Sequence, residues 1–459
     1  MKYRAKVRLV AVAAAFTSIV SLTCGTPASP DEVHARLDAL FSDLHRRGLF
    51  DGAVVVGSRS EPEWQKGYGF ANVERRVPFT PDVAADGASL AKTFTAALTI
   101  GLATDRRLDL DEPAQRWLPE LPYPDITLRH LLSHSSGLPV LDYDYFDAFL
   151  PKGQVRTTEL LLGVIGSRKP PLAFAPGTAF EYSSFGYDLA ALAAARAAGR
   201  PLAELLNERI FQPLGLKSAF LRPGRFADFP GIRTLGYGRT GGLNDVFDFE
   251  AFHGGSNIYI SAGDLHRWNT SFLSRPVLNA GGLAASLERA RIGSATSGLT
   301  LGSWYRSSDG DAFWYSGHLQ GFHSEVFRNL RWRRSIVYMS NNTIPAWLQK
   351  AIVRAVDRVV RGDDPAPLIP PPADGVRKDE RDALAGAWPM SDGDAFSIVR
   401  DADHLAALRE GVRYRMVQVE PAAFYVPGLD VVVTFGRGAG GTISKIRVAS
   451  NVDERAGER

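Results

Sequence analysis

"GASLAKTFTAAL", from Gly87 to Leu98, sets Ser89 and Lys92 three positions apart at the start of an apolar run that reads as a helix. Residues i and i+3 share a helix face, so the hydroxyl and the amine adjoin. One reading makes them a capping serine and a solvated lysine. The other makes Ser89 a nucleophile and Lys92 its base. An unperturbed lysine is protonated at neutral pH and cannot take a proton. Burial or a second cation would change that, and "FTAALTIGL" supplies an apolar helix for burial. A serine at a helix N-terminus also holds its own N–H where negative charge is favoured. Spacing alone leaves both readings open.

Two further stretches bear on the choice, "TLRHLLSHSSGLP" (127–139) and "YSSFGYDLAALA" (182–193). With them the chain resembles the superfamily of serine β-lactamases and penicillin-binding proteins, in the branch of class C β-lactamases, family VIII esterases and D-amino-acid peptidases. The resemblance runs from about residue 35 to 360. It includes "GYGFANVERRVPFTPD" (67–82), "RLDLDEPAQRWLPEL" (107–121), "IFQPLGL" (210–216) and "GGSNIYISAGDLHRWN" (254–269).

The resemblance implies that Ser89 is acylated, that Lys92 activates it and that Tyr182, first residue of the family's Tyr-x-Asn motif, shares the proton shuttle. Two departures follow. Ser184 replaces the asparagine, so a shorter hydroxyl stands where an amide would grip the substrate or the lysine. The third motif, Lys-Thr-Gly or His-x-Gly in the family, reads Tyr315-Ser316-Gly317 in "FWYSGHLQGFHSEVF" (313–327). Gly317 leaves room for close substrate approach, and the N–H of His318 is implied as an oxyanion donor. The cation of the first position has become the neutral Tyr315. That favours an esterase or amidase acting on uncharged acyl groups over a committed penicillinase.

Residues 1–28 have the pattern of an export signal, with basic "MKYRAKVR" before apolar "LVAVAAAFTSIVSL". The single cysteine, Cys24, stands where a lipoprotein carries its acylated residue; the alternative is that it is lost with the signal. Both place the protein outside the cytoplasm, in the periplasm, the medium or on a membrane. Removing 28 residues takes away Lys2, Arg4, Lys6 and Arg8 and no acid, which turns the net charge from +3 to −1. A near-neutral chain without a long basic run offers little to nucleic acid.

The expected organisation is a signal peptide (1–28), a hydrolase domain (32–361), a proline-rich linker (362–379, with "DDPAPLIPPPADG") and a small all-β domain (380–453). The expected class is α+β: the family's antiparallel sheet flanked by helices, a helical subdomain, and an appended β-domain resembling the small β-barrel of many relatives. His130 and His134 are four apart, but Leu131 stands where a zinc protease needs glutamate, and neither metal nor other cofactor is expected. Arg328, Arg331, Arg333 and Arg334 read as a solvated hairpin. The function expected is an exported serine hydrolase acting on a small ester, amide or peptide through an acyl-enzyme. A β-lactamase, a D-Ala-D-Ala carboxypeptidase or D-aminopeptidase, and a catalytically silent binder of cell-wall fragments are the alternatives.

Overall fold

The computed structural model describes residues 29–459 except 141–144, 147, 151–152, 275–276, 366, 369, 371–375 and 402–403. The expected signal segment with Cys24, and the centre of the linker, therefore lie outside the described residues. Among the described residues, no helix is long and apolar enough to cross a membrane.

An eight-stranded antiparallel sheet forms the frame. Its order is 289–292, 295–300, 305–306, 312–319, 322–329, 334–340, 52–57 and 64–68, so the first two strands of the chain close the sheet beside the last. "GAVVVG" (52–57) is buried throughout, as a continuous apolar run demands when both faces are covered. Strand alternation shows what covers them. Ser335 meets His266 and Asn269 of helix Ala262–Ser274, whereas Tyr338, three positions on, donates to Gln349 of helix Ala346–Val360. An odd offset along a strand means opposite faces. Helix Pro30–Arg46, capped by Ser29 through Glu32 N–H, joins Ala346–Val360 on the second face.

The strands at 289–306 are not legible in the sequence. "RARIGSATSGLTLGSWYR" is rich in Gly and Ser and poor in the β-branched residues that signal a strand. By contrast, the apolar pattern of 186–211 reads as a helical pair broken at Gly199–Pro201, and the first of the pair is the helix Ser184–Ala198, ended by Gly199 at φ +67°. Its buried Ala190, Ala193 and Ala194 let it lie close against the helix of the opening stretch, Ala91–Thr104.

After a 3-10 helix at Lys378–Leu384 the described chain is all β, but it forms no barrel. Four strands (386–389, 395–401, 404–409, 412–415) and five strands (417–420, 423–426, 431–437, 443–449, 454–458) make two sheets. The ladder ends at Met416, whose N–H still bonds Leu405 O in register, and the strand after it pairs forward with 423–426. The last strand, Glu454–Glu458, runs past residue 453. Trp388, Ile398, Tyr414, Phe424 and Phe435 fill a core of their own, which also takes in Phe180 from beside Tyr182.

Candidate active site

The turn before Ser89 is held from three sides. Gly87 N–H donates to Ile258 O, Gly87 O accepts from Ser324 Oγ, and Asp86 Oδ1 accepts from Ala88 N–H at 2.7 Å. Ala88 sits at φ +49°, a conformation uncommon for any residue with a Cβ and one that persists only where surroundings enforce it. Asp86 is buried beside Arg222, and burial, offset in part by that guanidinium, raises its carboxyl to about 6. Ser89 follows in the first helical turn, where backbone N–H groups lack an intrahelical acceptor.

Lys92 has no exposed surface. Its Nζ lies 3.2 Å from Ser89 Oγ, 3.1 Å from Ser184 Oγ and 2.6 Å from Gly255 O, and 4.9 Å from the centre of the Tyr182 ring. Three contacts complete a tetrahedral nitrogen. They suit an ammonium that donates three times, or an amine that donates to Gly255 and Ser184 and turns its lone pair on Ser89. Tyr182 OH donates to Ser89 Oγ at 3.0 Å and lies 3.3 Å from Tyr315 OH. The Tyr182 ring stacks on the imidazole of His134, with centroids 4.4 Å apart. His134 Nδ1 accepts from Ser183 N–H, and burial holds the ring well below its usual protonation range. His130 caps its own helix through Thr127.

The strand Ala312–Leu319 forms the other wall. Tyr315 and Gly317 face Tyr182 and Gly87; a Cβ on Gly317 would stand 2.2 Å from Gly87 O. Ser316, expected beside the substrate, points through to the far face, as strand alternation requires. There it meets Lys350 Nζ at 2.6 Å, Glu325 and Asp430. The His318 side chain shares that face, packed on His323 at 4.1 Å. Its backbone is another matter. The neighbouring strand 305–306 pairs only with 313–314, so among the described residues the edge from 315 onward carries no partner strand. Ser184, expected to touch substrate, spends its hydroxyl on Lys92. Arg328 is not solvated: it is fully buried with its guanidinium 3.9 Å from the Trp304 ring centre and 4.1 Å from that of Phe272.

Three parts of this arrangement escape sequence reading. Gly255 supplies a carbonyl to Lys92 and is anchored by its own N–H on Asp188 Oδ1 at 2.7 Å. A Cβ on Gly255 would lie 2.5 Å from Ser184 O, which explains the glycine. Asp188 is buried, and burial raises its carboxyl to about 6 against the pull of the Gly255 N–H and Lys92. Lys350 brings a cation behind the motif that lacks one. The signal in "GGSN" was present as a family pattern, but nothing in it showed which atom would be used.

A serine and a lysine in hydrogen-bond contact at the foot of a helix, with a tyrosine on the serine and an antiparallel strand alongside, define a class of acyl-transfer fold. The β-lactamase family model ("Beta-lactamase") matches residues 37–360, and the chain belongs to that family. Among curated relatives, it is 24% identical over 443 residues to "Penicillin-binding protein 4*" of Bacillus subtilis (strain 168), an alignment covering 92% of this chain and 97% of that protein. It is 29% identical to "Esterase EstB" of Burkholderia gladioli, covering 60% of this chain and 79% of the relative. It is 34% identical to "D-aminopeptidase" of Gluconobacter oxydans (strain 621H), over 42% of this chain and 36% of that one. In structure it is similar to an octameric penicillin-binding protein homologue from Pyrococcus abyssi, with TM-score 0.61, 19% identity and coverage of 92% and 99%. That last likeness extends the shared fold through the C-terminal sheets.

Proposed function

We propose that this chain is an exported serine hydrolase of esterase or amidase type, working through an acyl-enzyme on Ser89. The observation that carries the proposal is the convergence of Lys92 Nζ and Tyr182 OH on Ser89 Oγ, at 3.2 and 3.0 Å. The Ser89 proton passes to one of these two as Oγ bonds to the substrate carbonyl carbon. The carbonyl oxygen gains the negative charge, and the N–H groups of Ser89 and His318 are the donors this reading assigns to it. The leaving group takes a proton back through Tyr182, and water then cleaves the acyl-serine by the reverse route.

Tyr315 supports an ester or amide substrate over a β-lactam, because it is neutral where the family carries a cation. Lys350 does not replace that cation in the cleft: it lies on the opposite face and is paired with Glu325 and Asp430. The relative named as an esterase supports the ester, and the one named as a D-aminopeptidase supports a peptide amide. Residues 32–361 carry this chemistry, 362–379 link them to the β-domain, and the 1–28 pattern supports export.

The test sets the Ser29–Arg459 form beside its Ser89→Ala variant, on a short-chain p-nitrophenyl ester and a chromogenic cephalosporin. Ester turnover lost in the variant, with a fluorophosphonate adduct on wild type alone, is the expected result. Strong cephalosporin turnover would transfer the reading to a β-lactamase. Absence of both turnover and adduct would overturn it in favour of a binding protein.

A further inference from the structure

The Phe180–Tyr182 segment is one of the places where the two parts of the chain meet. Phe180 lies in the core of the C-terminal sheets, with its ring 5.2 Å from that of Tyr414. Beside it a cavity of about 750 Å³ opens between this segment and the C-terminal strands. That volume lies within the range of small-molecule sites. Tyr182 bounds it on the catalytic side. Leu405, Met416 and Phe424 give it an apolar lining, and Arg415 stands on the wall contributed by the β-domain.

The charges in this cavity are not equivalent. Arg400 is paired with Asp382, and Arg381 is bonded to Gln418. Two residues back along its strand, Arg413 is paired with Asp401 and does not line the cavity. Arg415 is exposed, and no carboxylate among the described residues lies within ion-pair distance of it. Its guanidinium does act on Glu181 at longer range: burial raises the Glu181 carboxyl, and Arg415 and His404 oppose the rise. A guanidinium fork on the wall of a cavity that also takes in Tyr182 is suited to a carboxylate carried on an acyl chain.

We propose that this cavity is a substrate subsite and that Arg415, supplied by the C-terminal β-domain, binds a carboxylate borne by the substrate. The inference rests on the hydrolase reading above. It gives the β-domain a part in substrate selection and assigns the cation missing at Tyr315 to a different wall. The preferred substrates are then esters or amides whose acyl part ends in an acid.

The test uses p-nitrophenyl monoesters of the straight-chain diacids from adipic to sebacic acid, each against the methyl-terminated ester of equal length. The quantity read is the ratio of kcat/KM, acid over methyl. Wild type should show a ratio that peaks at one chain length. In Arg415→Gln the ratio at that length should fall at least about tenfold, as loss of a charge-assisted hydrogen bond implies. Arg415→Lys should recover part of it, and Arg413→Gln should keep the wild-type value. Melting curves of all three variants separate a lost contact from a lost fold. An unchanged ratio in Arg415→Gln, or a preference for trimethylammonium-terminated esters that would assign the cavity to Glu181, overturns the inference while leaving the hydrolase reading intact. No Ser89-dependent turnover of any ester would instead overturn the hydrolase reading.

Discussion

The hydroxyl of Ser316 lies 2.6 Å from the ammonium of Lys350, on the side of the sheet away from Ser89. The same nitrogen is 2.7 Å from Asp430 and 3.1 Å from Glu325, and Asn451 closes the group by donating to Glu325. Helix Ala346–Val360, the central strands and the C-terminal β region are thus joined by one buried polar cluster directly behind the motif strand. A cluster of this kind is costly to break at any one member, because the remaining charge stays buried without its partner.

That cluster makes stability depend on pH. Burial, offset in part by Lys350 and reinforced by Asp430, raises the Glu325 carboxyl from 4.5 to about 8. Burial pulls Lys350 down, but Asp430 and Glu325 more than offset it and hold the ammonium above its ordinary value. Between pH 4.5 and about 8 the folded protein keeps a proton on Glu325 that the unfolded chain has lost. Folding stability from this group is therefore fully present below the unfolded value and falls as pH rises through that window. Melting temperatures from pH 6 to 9 should decline more steeply for wild type than for Glu325→Gln. Parallel slopes would show that Glu325 is not the titrating group.

Gly317 has no room for a side chain. A Cβ would lie 2.2 Å from Gly87 O, a backbone atom two residues before Ser89, and 2.3 Å from Ser324 Oγ. Gly317→Ala should push the Gly87–Ser89 turn away from the strand and lower kcat/KM on the test ester by roughly a hundredfold, the scale of a 1 Å misplacement. The accompanying loss of stability should be about 1–3 kcal/mol. Gly163→Ala is the control, since nothing lies within 4 Å of its Cβ position, and its kinetics should be those of wild type. Near wild-type activity in Gly317→Ala would mean that the strand does not set the serine's position.

Ser184 stands in for an asparagine by accepting from Lys92 at 3.1 Å. Ser184→Ala leaves the buried amine with two partners instead of three, and kcat should fall roughly tenfold to a hundredfold. KM should change little if the hydroxyl serves Lys92 more than the substrate. Ser184→Asn, whose amide oxygen can also accept, should restore part of the rate. A rise in KM at constant kcat would return Ser184 to direct substrate binding.

What was legible in the sequence was legible because it is local. Ser89 and Lys92 share a face by helical spacing, residues 186–211 read as a helical pair around Gly199–Pro201, and "DGAVVVGSRS" (51–60) reads as a strand followed by a turn. The family pattern placed Tyr182 in the same group as Ser89 and Lys92, and the structure brings its hydroxyl to Ser89 Oγ from 93 positions away. The strands at 289–306 were not legible, because their Gly and Ser carry no period, and pairing with the strand at 312–319 decides their form.

By itself the sequence determined the family, the α+β class and the grouping of Lys92 and Tyr182 with Ser89. Only the tertiary structure decided the rest. It turned Ser316 away from the cleft, because consecutive strand residues face opposite sides. It brought Lys350 behind the motif as a paired and buried cation, and it opened the C-terminal sheets at Met416. It also set Arg415 and Tyr182 on the walls of one cavity, a juxtaposition of residues 233 positions apart that no local pattern encodes.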